Sequence, residues 1–367
     1  MAITISIGWN AFSDLNSRIM KTWHFSVLAV LCGTAAACIT PPDIAHTLVE
    51  PERPQIIFDT DFGGDADDLG ALAMLHHYAD QDLIDLQAVI SWSNEEFALP
   101  ALVAVNTYYG RPNLTLGVRE VAPWRTEWNY NKAISDRFPV APEQIAEAHP
   151  AVKLYRRLLS EAAPHSLTIV TVGPLANIRN LLNSGPDEFS DLSGADLAER
   201  KVAKWVIMGG QFPDGVTANG AEWNFDGNMP GVTKFVLETI NRPVIFSGFE
   251  VGEAIRYGAE LEAHPADTPL YVGYRYFSEH APWMAEDYRG QILDNASFDQ
   301  TAVMFAALGS DTPFWTLSAP GRLSADARGV ATWTDDETGQ HRFLKLSNGP
   351  DPARDHIAAA MTAIPKE

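Results

Sequence analysis

Five aspartates, Asp59, Asp61, Asp65, Asp67 and Asp68, fall within ten residues of the stretch IIFDTDFGGDADDLGAL, Ile56 to Leu72. Carboxylates held this close repel one another, so they stay ionised together only around a cation, or some of them take up protons. A donor set made of oxygen alone favours a hard ion, Ca2+ or Mg2+. Turn and cap chemistry is the simpler alternative. In it Gly63 and Gly64 make a turn, Asp67 caps the helix that follows, and the other carboxylates are solvated. Five acids directly after the apolar run IIF are more than a turn needs.

The elements that must position these residues alternate along the chain. Short buried runs predict strands at QIIF (55–58), LQAVIS (86–91), LTLGV (114–118), LTIVTV (167–172), KWVIMG (204–209) and PVIFSG (243–248). Helical stretches stand between several of them, among them Leu69 to Tyr78 and Pro150 to Ala162. That alternation predicts an α/β fold, an open and mainly parallel sheet with helices on both faces and a Rossmann-like core. Such sheets gather their ligand sites at the carboxyl ends of the strands, which is where the aspartates fall. GVATWTDDETGQHRFLKL (329–346) reads as a peripheral hairpin turning at DDETG.

The chain has 367 residues, of which 46% are hydrophobic, 20% charged and ten are tryptophan, a composition for a packed core rather than disorder. Its net charge of −21 repels a phosphate backbone, which argues against nucleic acid and leaves small molecules, cations or proteins as partners. Arg18 and Lys21 precede an apolar stretch from Trp23 to Ala37. At about 15 residues it is shorter than the ~20 of a spanning helix and suits a signal peptide. MKTWHFSVLAVLCGTAAAC, from Met20, is a complete signal in itself, which makes Met1 to Ile19 an upstream extension. Two readings stay open at its end: cleavage after Ala37, or a lipid anchor at Cys38 in a segment that resembles a bacterial lipobox with Ala35 in place of Leu. Residues 1–37 are thus read as a signal region, 38–54 as a proline-rich tether and 55–367 as one domain. The expected location is the periplasm or, as a lipoprotein, a bacterial membrane surface. Cys32 and Cys38 are the two cysteines, so the domain beyond them has no disulfide and no thiolate ligand.

Further segments follow in order: AVISWSN (88–94), VTVGPLAN (170–177), VIMGGQF (206–212) with AEWNFDG (221–227), and SFDQTAV (297–303). Together with DTDFGGDADD they resemble the inosine-uridine preferring nucleoside hydrolases, a family that opens on a strand and D-x-D-x-G-x-D-D. The two extra residues here resemble a bacterial branch of predicted hydrolases written D-T-D-x-G-x-D-x-D-D. Over most of residues 55 to 305 the segments stay in register. The resemblance implies Ca2+ held by Asp61, Asp68, the Val172 carbonyl and Asp299, with Asp61 also the general base. It implies that Asp67, Asn94, Glu222 and Asn224 grip sugar hydroxyls and that Met208 lines the sugar pocket. Asp59 is read as a brace behind the ligands, and Asp65, inside the two extra residues, has no counterpart.

Each of these residues also has a plainer reading. Asn94 could end a strand, Asn224 cap a turn, Val172 and Met208 fill a core, and Asp299 complement a helix N-terminus. His76 and His77 read as ordinary helix residues. The main departure from the family is Phe298, where many members carry His before the late Asp as acid toward the departing base. SEHAPWMAEDYRGQ (278–291), with His280, Glu286, Asp287 and Tyr288, and APWRTEWNYNK (122–132), with Trp124, Trp128 and Tyr130, offer polar and aromatic loops to close over a nucleobase. The expected activity is calcium-dependent cleavage of a small-molecule nucleoside or other N-riboside to ribose and free base; whether copies of the chain assemble stays open. An EF-hand is set aside because Gly70 stands where its loop needs Glu. A haloacid-dehalogenase-type phosphatase with Asp59 as nucleophile, and a non-catalytic calcium-dependent sugar-binding lipoprotein, are the alternatives.

Overall fold

Ile56, Ile57 and Phe58 have no exposed surface because strand β1, Gln55–Thr60, runs in the middle of a sheet. In the computed structural model, which describes residues 53–121, 125–213 and 220–366, β1 lies between β2 (Asp85–Ser91) and a later strand, β5 (Leu167–Thr171). The signal region, Cys38 and the tether up to residue 52 lie outside the described residues. β3 (Thr115–Val118) and β4 (His149–Pro150) continue the sheet beyond β2, while β6 (Val202–Met208) and β7 (Val244–Ser247) continue it beyond β5. All of these neighbours are parallel. The chain builds outward from β1 to β4 on one side, then returns to build the other side from β5. The switch point between β1 and β5 is where a parallel sheet opens a crevice at its carboxyl edge.

Side-chain alternation divides the core into two layers. Ile56, Phe58, Val170, Val206 and Met208 face one apolar cluster, and Ile57, Ile90, Ile169, Trp205 and Ile207 face the other. Helices therefore cover both faces, as the near-continuous apolar runs predict. The six predicted strands all form, with ends displaced by two residues at most, and the predicted helices become Ala66–Asp80 and Ala151–Glu161. Helix Ala66–Asp80 is buried for most of its length, packed against helix Phe298–Leu308.

The C-terminal part departs from expectation. β8 (Arg256–Tyr257) and β9 (Asn295–Ala296) form a small antiparallel pair, and β10 (Trp315–Leu317), β11 (Gly321–Ala325), β12 (Ala331–Asp335) and β13 (His341–Leu346) enlarge the main sheet to eleven strands. The stretch 329–346 is not a peripheral hairpin. β13 lies parallel beside β7 and extends the core sheet, and β12 pairs instead with β11, which comes between them. β13 buries His341, Phe343 and Leu344, whereas β12 is mostly exposed beyond Ala331, so the two have different surroundings to satisfy. β1 is flanked on both sides and both faces, so Phe58→Ala should open a cavity that the sheet cannot close. A loss of about 3–5 kcal/mol in unfolding free energy by urea denaturation is expected; a loss below about 1 kcal/mol would contradict this placement.

Candidate functional site

Loops leaving the carboxyl ends of β1, β5, β6 and β7 surround a cavity of about 830 Å3. Its wall includes Asp61, Asp65, Asp67, Asp68, Val172, Met208, Glu222, Asn224 and Asp299, nine residues singled out in the sequence. Two do not reach it. Asn94 is half-buried, its amide donating to Val121 O at 2.9 Å, so the structure does not bring it to the other sugar candidates. Asp59 is fully buried behind the wall, where Tyr155 Oη–H donates to Oδ2 at 2.8 Å and the Asn177 amide reaches both oxygens. With both oxygens engaged and no access to the cavity, Asp59 has no path to act as a phosphatase nucleophile.

The acidic wall is made by two helix N-termini. Asp65 is the N-cap of helix Ala66–Asp80, accepting from Asp67 N at 3.4 Å, so capping falls to Asp65 rather than Asp67. The helix begins at Ala66, three residues before the expected Leu69, and this leaves Asp67 and Asp68 in its first turn, with Asp299 in the first turn of helix Phe298–Leu308. Partial positive charge at both termini favours carboxylates there. Asp299 N donates to Asp67 Oδ2 at 3.2 Å, Thr60 Oγ1–H donates to Asp68 Oδ1, and the Asn295 amide donates to Asp65 Oδ1. Asp67, Asp68 and Asp299 are buried and each offers an oxygen within 4.8 Å of the others. At that distance two full charges repel by about 3–4 kcal/mol even at an effective dielectric of ~20. Three such pairs rival the 5–15 kcal/mol stability of a whole domain, so the cluster needs a cation or protons.

Burial, then repulsion by neighbouring carboxylates, holds Asp67, Asp68 and Asp299 well above the usual carboxylate range. Burial also lifts Asp61 to about 7, opposed by the Trp223 indole N–H, which donates to its Oδ2 at 3.3 Å. Gly173 is what lets Asp61 lie there, since a Cβ at that position would come within 2.9 Å of Asp61 N and Oδ1.

The opposite wall is a short helix, Trp223–Asp226, capped by Glu222. Glu222 Oε1 accepts from Asn224 N at 2.9 Å and Oε2 from Gly210 N at 3.0 Å, and burial raises its carboxyl to about 7. The Asn224 amide donates to Val172 O at 2.8 Å and to Met208 O at 3.2 Å, tying this wall to β5 and β6. The rim is aromatic: Trp128, Trp223, Trp283, Phe249 and Phe298 line it, Trp128 meets Trp283 edge-on at 5.3 Å, and Phe249 stacks on Phe298 at 5.1 Å.

Of the loop residues offered to a nucleobase, Trp128 is at the cavity, with its indole N–H on Gly64 O at 2.9 Å. Tyr130 is buried beneath the aspartate loop, its hydroxyl accepting from Gly63 N at 3.2 Å, because it packs edge-on against Phe62. His280 stacks on Tyr276 at 3.9 Å, and neither it nor Glu286, Asp287 or Tyr288 lines the cavity; Trp124 lies outside the described residues. His76 stacks on Tyr109 and pairs with Asn106, away from the cavity. Sequence reasoning did not single out Thr60, Tyr155, Asn177, Trp223, Trp283 or Asn295. Asn177 and Trp223 sit inside quoted motifs, whereas Tyr155 and Asn295 carry no local signal.

Residues 56–308 match the profile described as inosine-uridine preferring nucleoside hydrolase. The pyrimidine-specific ribonucleoside hydrolase RihA of Citrobacter koseri is 27% identical over 214 residues, a match that covers 56% of this chain and 63% of that relative, less than two thirds of its length. RihA of Salmonella enteritidis is 28% identical over 240 residues, covering 61% and 71%. A plant nucleoside hydrolase superimposes with a TM-score of 0.64 at 16% identity, over 85% of this chain and 98% of its own. An inosine-uridine preferring nucleoside hydrolase from Bacillus anthracis does so with 0.60 at 18% identity, over 84% and 99%. At such identities the structural likeness is one of fold.

The raised carboxyls set a direction for pH. A carboxyl whose folded value exceeds its unfolded one contributes stability fully present below the unfolded value and lost as pH rises through the folded value. For Asp59 and Asp61 that window runs from 3.8 to about 7, and for Asp67, Asp68 and Asp299 it extends higher. With a chelator present, Tm by scanning fluorimetry should therefore fall between about pH 5 and pH 8, and saturating calcium should remove the fall. A chelated Tm that is flat over this range, or a calcium-independent one, contradicts the cluster as a cation site.

Proposed function

The chain belongs to the inosine-uridine preferring nucleoside hydrolase family, and on that premise we propose that it cleaves the N-glycosidic bond of ribonucleosides or related N-ribosides, giving ribose and the free base. The observation that carries this reading is one cavity with a carboxylate floor, a Glu222–Asn224 wall and an aromatic rim. A sugar needs hydroxyl acceptors and donors, a base needs flat apolar faces, and a nucleoside needs both side by side.

The donor chemistry fits a hard divalent cation, since Asp67, Asp68 and Asp299 are buried oxygen donors that crowd one another. Asp61, Asp68, Asp299 and the Val172 carbonyl would hold this ion as Ca2+, and Asp67, near Asp68 and Asp299, would share in neutralisation. When bound, the ion supplies positive charge that eases proton loss from water. Asp61, on the cavity wall, would accept that proton as general base. Water oxygen bonds to C1′ as the C1′–N bond breaks, its electron pair leaving with the base nitrogen. The sugar acquires oxocarbenium character on the way, and the fixed oxygens of Glu222 and Asp67 oppose that charge. Glu222 is held for this by its bonds from Gly210 N and Asn224 N.

The base would lie against Trp128, Trp223, Trp283, Phe249 and Phe298, of which Trp223 and Trp283 stand exposed at the mouth of the cavity. No histidine, lysine, arginine or tyrosine is among the described residues lining the cavity, and the acid toward the departing base is left unassigned. Export also belongs to the proposal: the signal-like segment 1–37 would deliver residues 55–367 as one catalytic domain outside the cytoplasm. Mass spectrometry of the exported protein separates a lipid on Cys38 from a start at that residue.

Reducing sugar released from uridine and inosine tests the central claim. Asp61→Asn should lower kcat by about 10²–10⁴, the usual weight of a general base, and a chelator should act in the same direction. Glu222→Ala should raise KM and lower kcat together, since it removes contacts to both ground state and transition state. Wild-type protein that binds ribosides with calcium and never releases sugar would falsify the enzymatic reading in favour of a binding protein.

A further inference from the structure

The family profile ends at residue 308, yet part of the chain beyond it reaches back to the cavity wall. Strands β11 and β12 are joined by a tip, residues 326–330, that Asp326 fastens from within. Asp326 Oδ1 accepts from Arg328 N at 2.8 Å and from Val330 N at 3.0 Å, and Gly329 N donates to Asp326 O at 3.1 Å. The tip abuts the helix Trp223–Asp226. Gly231 N donates to Ala327 O at 2.7 Å, and Gly329, at φ +81°, is so near that a Cβ would come within 2.2 Å of Phe225 O. Thr233 Oγ1–H donates to the same carbonyl at 2.7 Å. Leu323, Ala331 and Phe343 share an apolar cluster with Phe225, Val232 and Val236, so the strands behind the tip are anchored to the same layer. Glu222, Trp223, Asn224 and Asp226, from this short helix and its cap, all line the cavity.

We infer that the β11–β12 tip is a positioning element. By standing against the Phe225 carbonyl it fixes the helix Trp223–Asp226 at the depth where Glu222 and Asn224 meet the sugar. Asp326 and Gly329 are positioning residues, and neither lines the cavity. The inference rests on the proposed function for the identity of the ligand, but not for the contact itself. Asp68 and Asp299 stand on helices Ala66–Asp80 and Phe298–Leu308, whereas the short helix meets the acidic side through Trp223, which donates to Asp61, and Asn224, which donates to Val172 O. A displaced tip should therefore be felt more by the sugar, which Glu222 and Asn224 meet directly, than by the cation, which keeps Asp68 and Asp299 on the long helices.

The test uses the full chain with calcium. Gly329→Ala, which adds a methyl against Phe225 O, should raise KM for uridine by roughly tenfold and weaken D-ribose binding in parallel, with calcium affinity within about twofold of wild type. Asp326→Ala loosens the tip without adding atoms and should act in the same direction by roughly threefold, while Asp326→Asn, whose amide oxygen accepts the same two N–H groups, should restore wild-type values. Calorimetric titration with D-ribose reads the wall without turnover, so wild-type protein that binds ribose but spares uridine overturns the function and leaves this inference to be judged. Hydrogen exchange at residues 222–227 needs no ligand at all, and should be faster in Asp326→Ala and unchanged in Asp326→Asn. Unaltered KM, ribose affinity and exchange in Gly329→Ala and Asp326→Ala overturn the inference, as does a loss of calcium affinity in step with the loss of ribose affinity.

Discussion

Mutual repulsion among buried carboxylates is the constraint around which the described residues are arranged. Asp61, Asp65, Asp67, Asp68 and Asp299 would disperse into solvent if the chain were free to let them. The fold offsets part of that cost without a cation. Two helix N-termini point at the cluster, backbone N–H groups of Asp68 and Asp299 donate to Asp67, and Thr60, Trp223 and Asn295 each donate to one acid. These donors lower individual carboxyls, but burial and neighbouring charge still prevail, since all five remain raised. The Arg119 guanidinium lowers Asp61 somewhat, yet leaves it raised. The imbalance is the electrostatic form of a place kept for a positive ion.

Behind that cluster, the parts that hold it are less negotiable than the parts that touch it. Asp59 bonds Tyr155 and Asn177 in a buried network that joins β1 to helices Ala151–Glu161 and Ala176–Leu182. Its backbone carbonyl accepts from Val172 N at 2.8 Å, so the same residue fixes the start of the loop that presents the Val172 carbonyl. Burial pushes the Asp59 carboxyl up to about 7, and the bonds from Tyr155 and Asn177 oppose that rise. The tight fit of Gly173 against Asp61 shows the tolerance required, since a single added carbon would occupy the space of the Asp61 carboxylate.

What the sequence made legible follows from how local the physics is. Strands and helices were readable because burial on both sheet faces writes itself as apolar runs, and the acid cluster because its members are close in the chain. Nine of the eleven residues assigned to cation, sugar or their support line one cavity since strand-end loops in a parallel sheet must converge. The errors have a common cause in contacts between distant segments. Asn94 is drawn to Val121 O by the neighbouring strand end, 27 residues away in sequence. Tyr130 looked like a lid residue and proves to be a support under Gly63, and Asp65 gained a role only once the helix was seen to begin at Ala66. β11, too short and polar to read as a strand, separates two strands that looked like a hairpin.

The two walls of the cavity consequently differ in what they ask of the rest of the chain. The acidic wall is the first turn of two long helices buried against each other, so its geometry is inherited from the core and changes only if the core does. The Glu222–Asn224 wall is a single turn ending at Gly227, φ +49°, too short to hold its own direction by helical hydrogen bonds. It depends instead on side-chain ties to Val172, Met208 and Gly210 and on what is packed behind it. The two walls meet where the Trp223 indole donates to Asp61 and the Asn224 amide to Val172 O, so a shift of the second is felt at the edge of the first. What is packed behind it, such as the β11–β12 tip against Phe225, acts on that second wall directly, because few of its contacts are made within the helix itself.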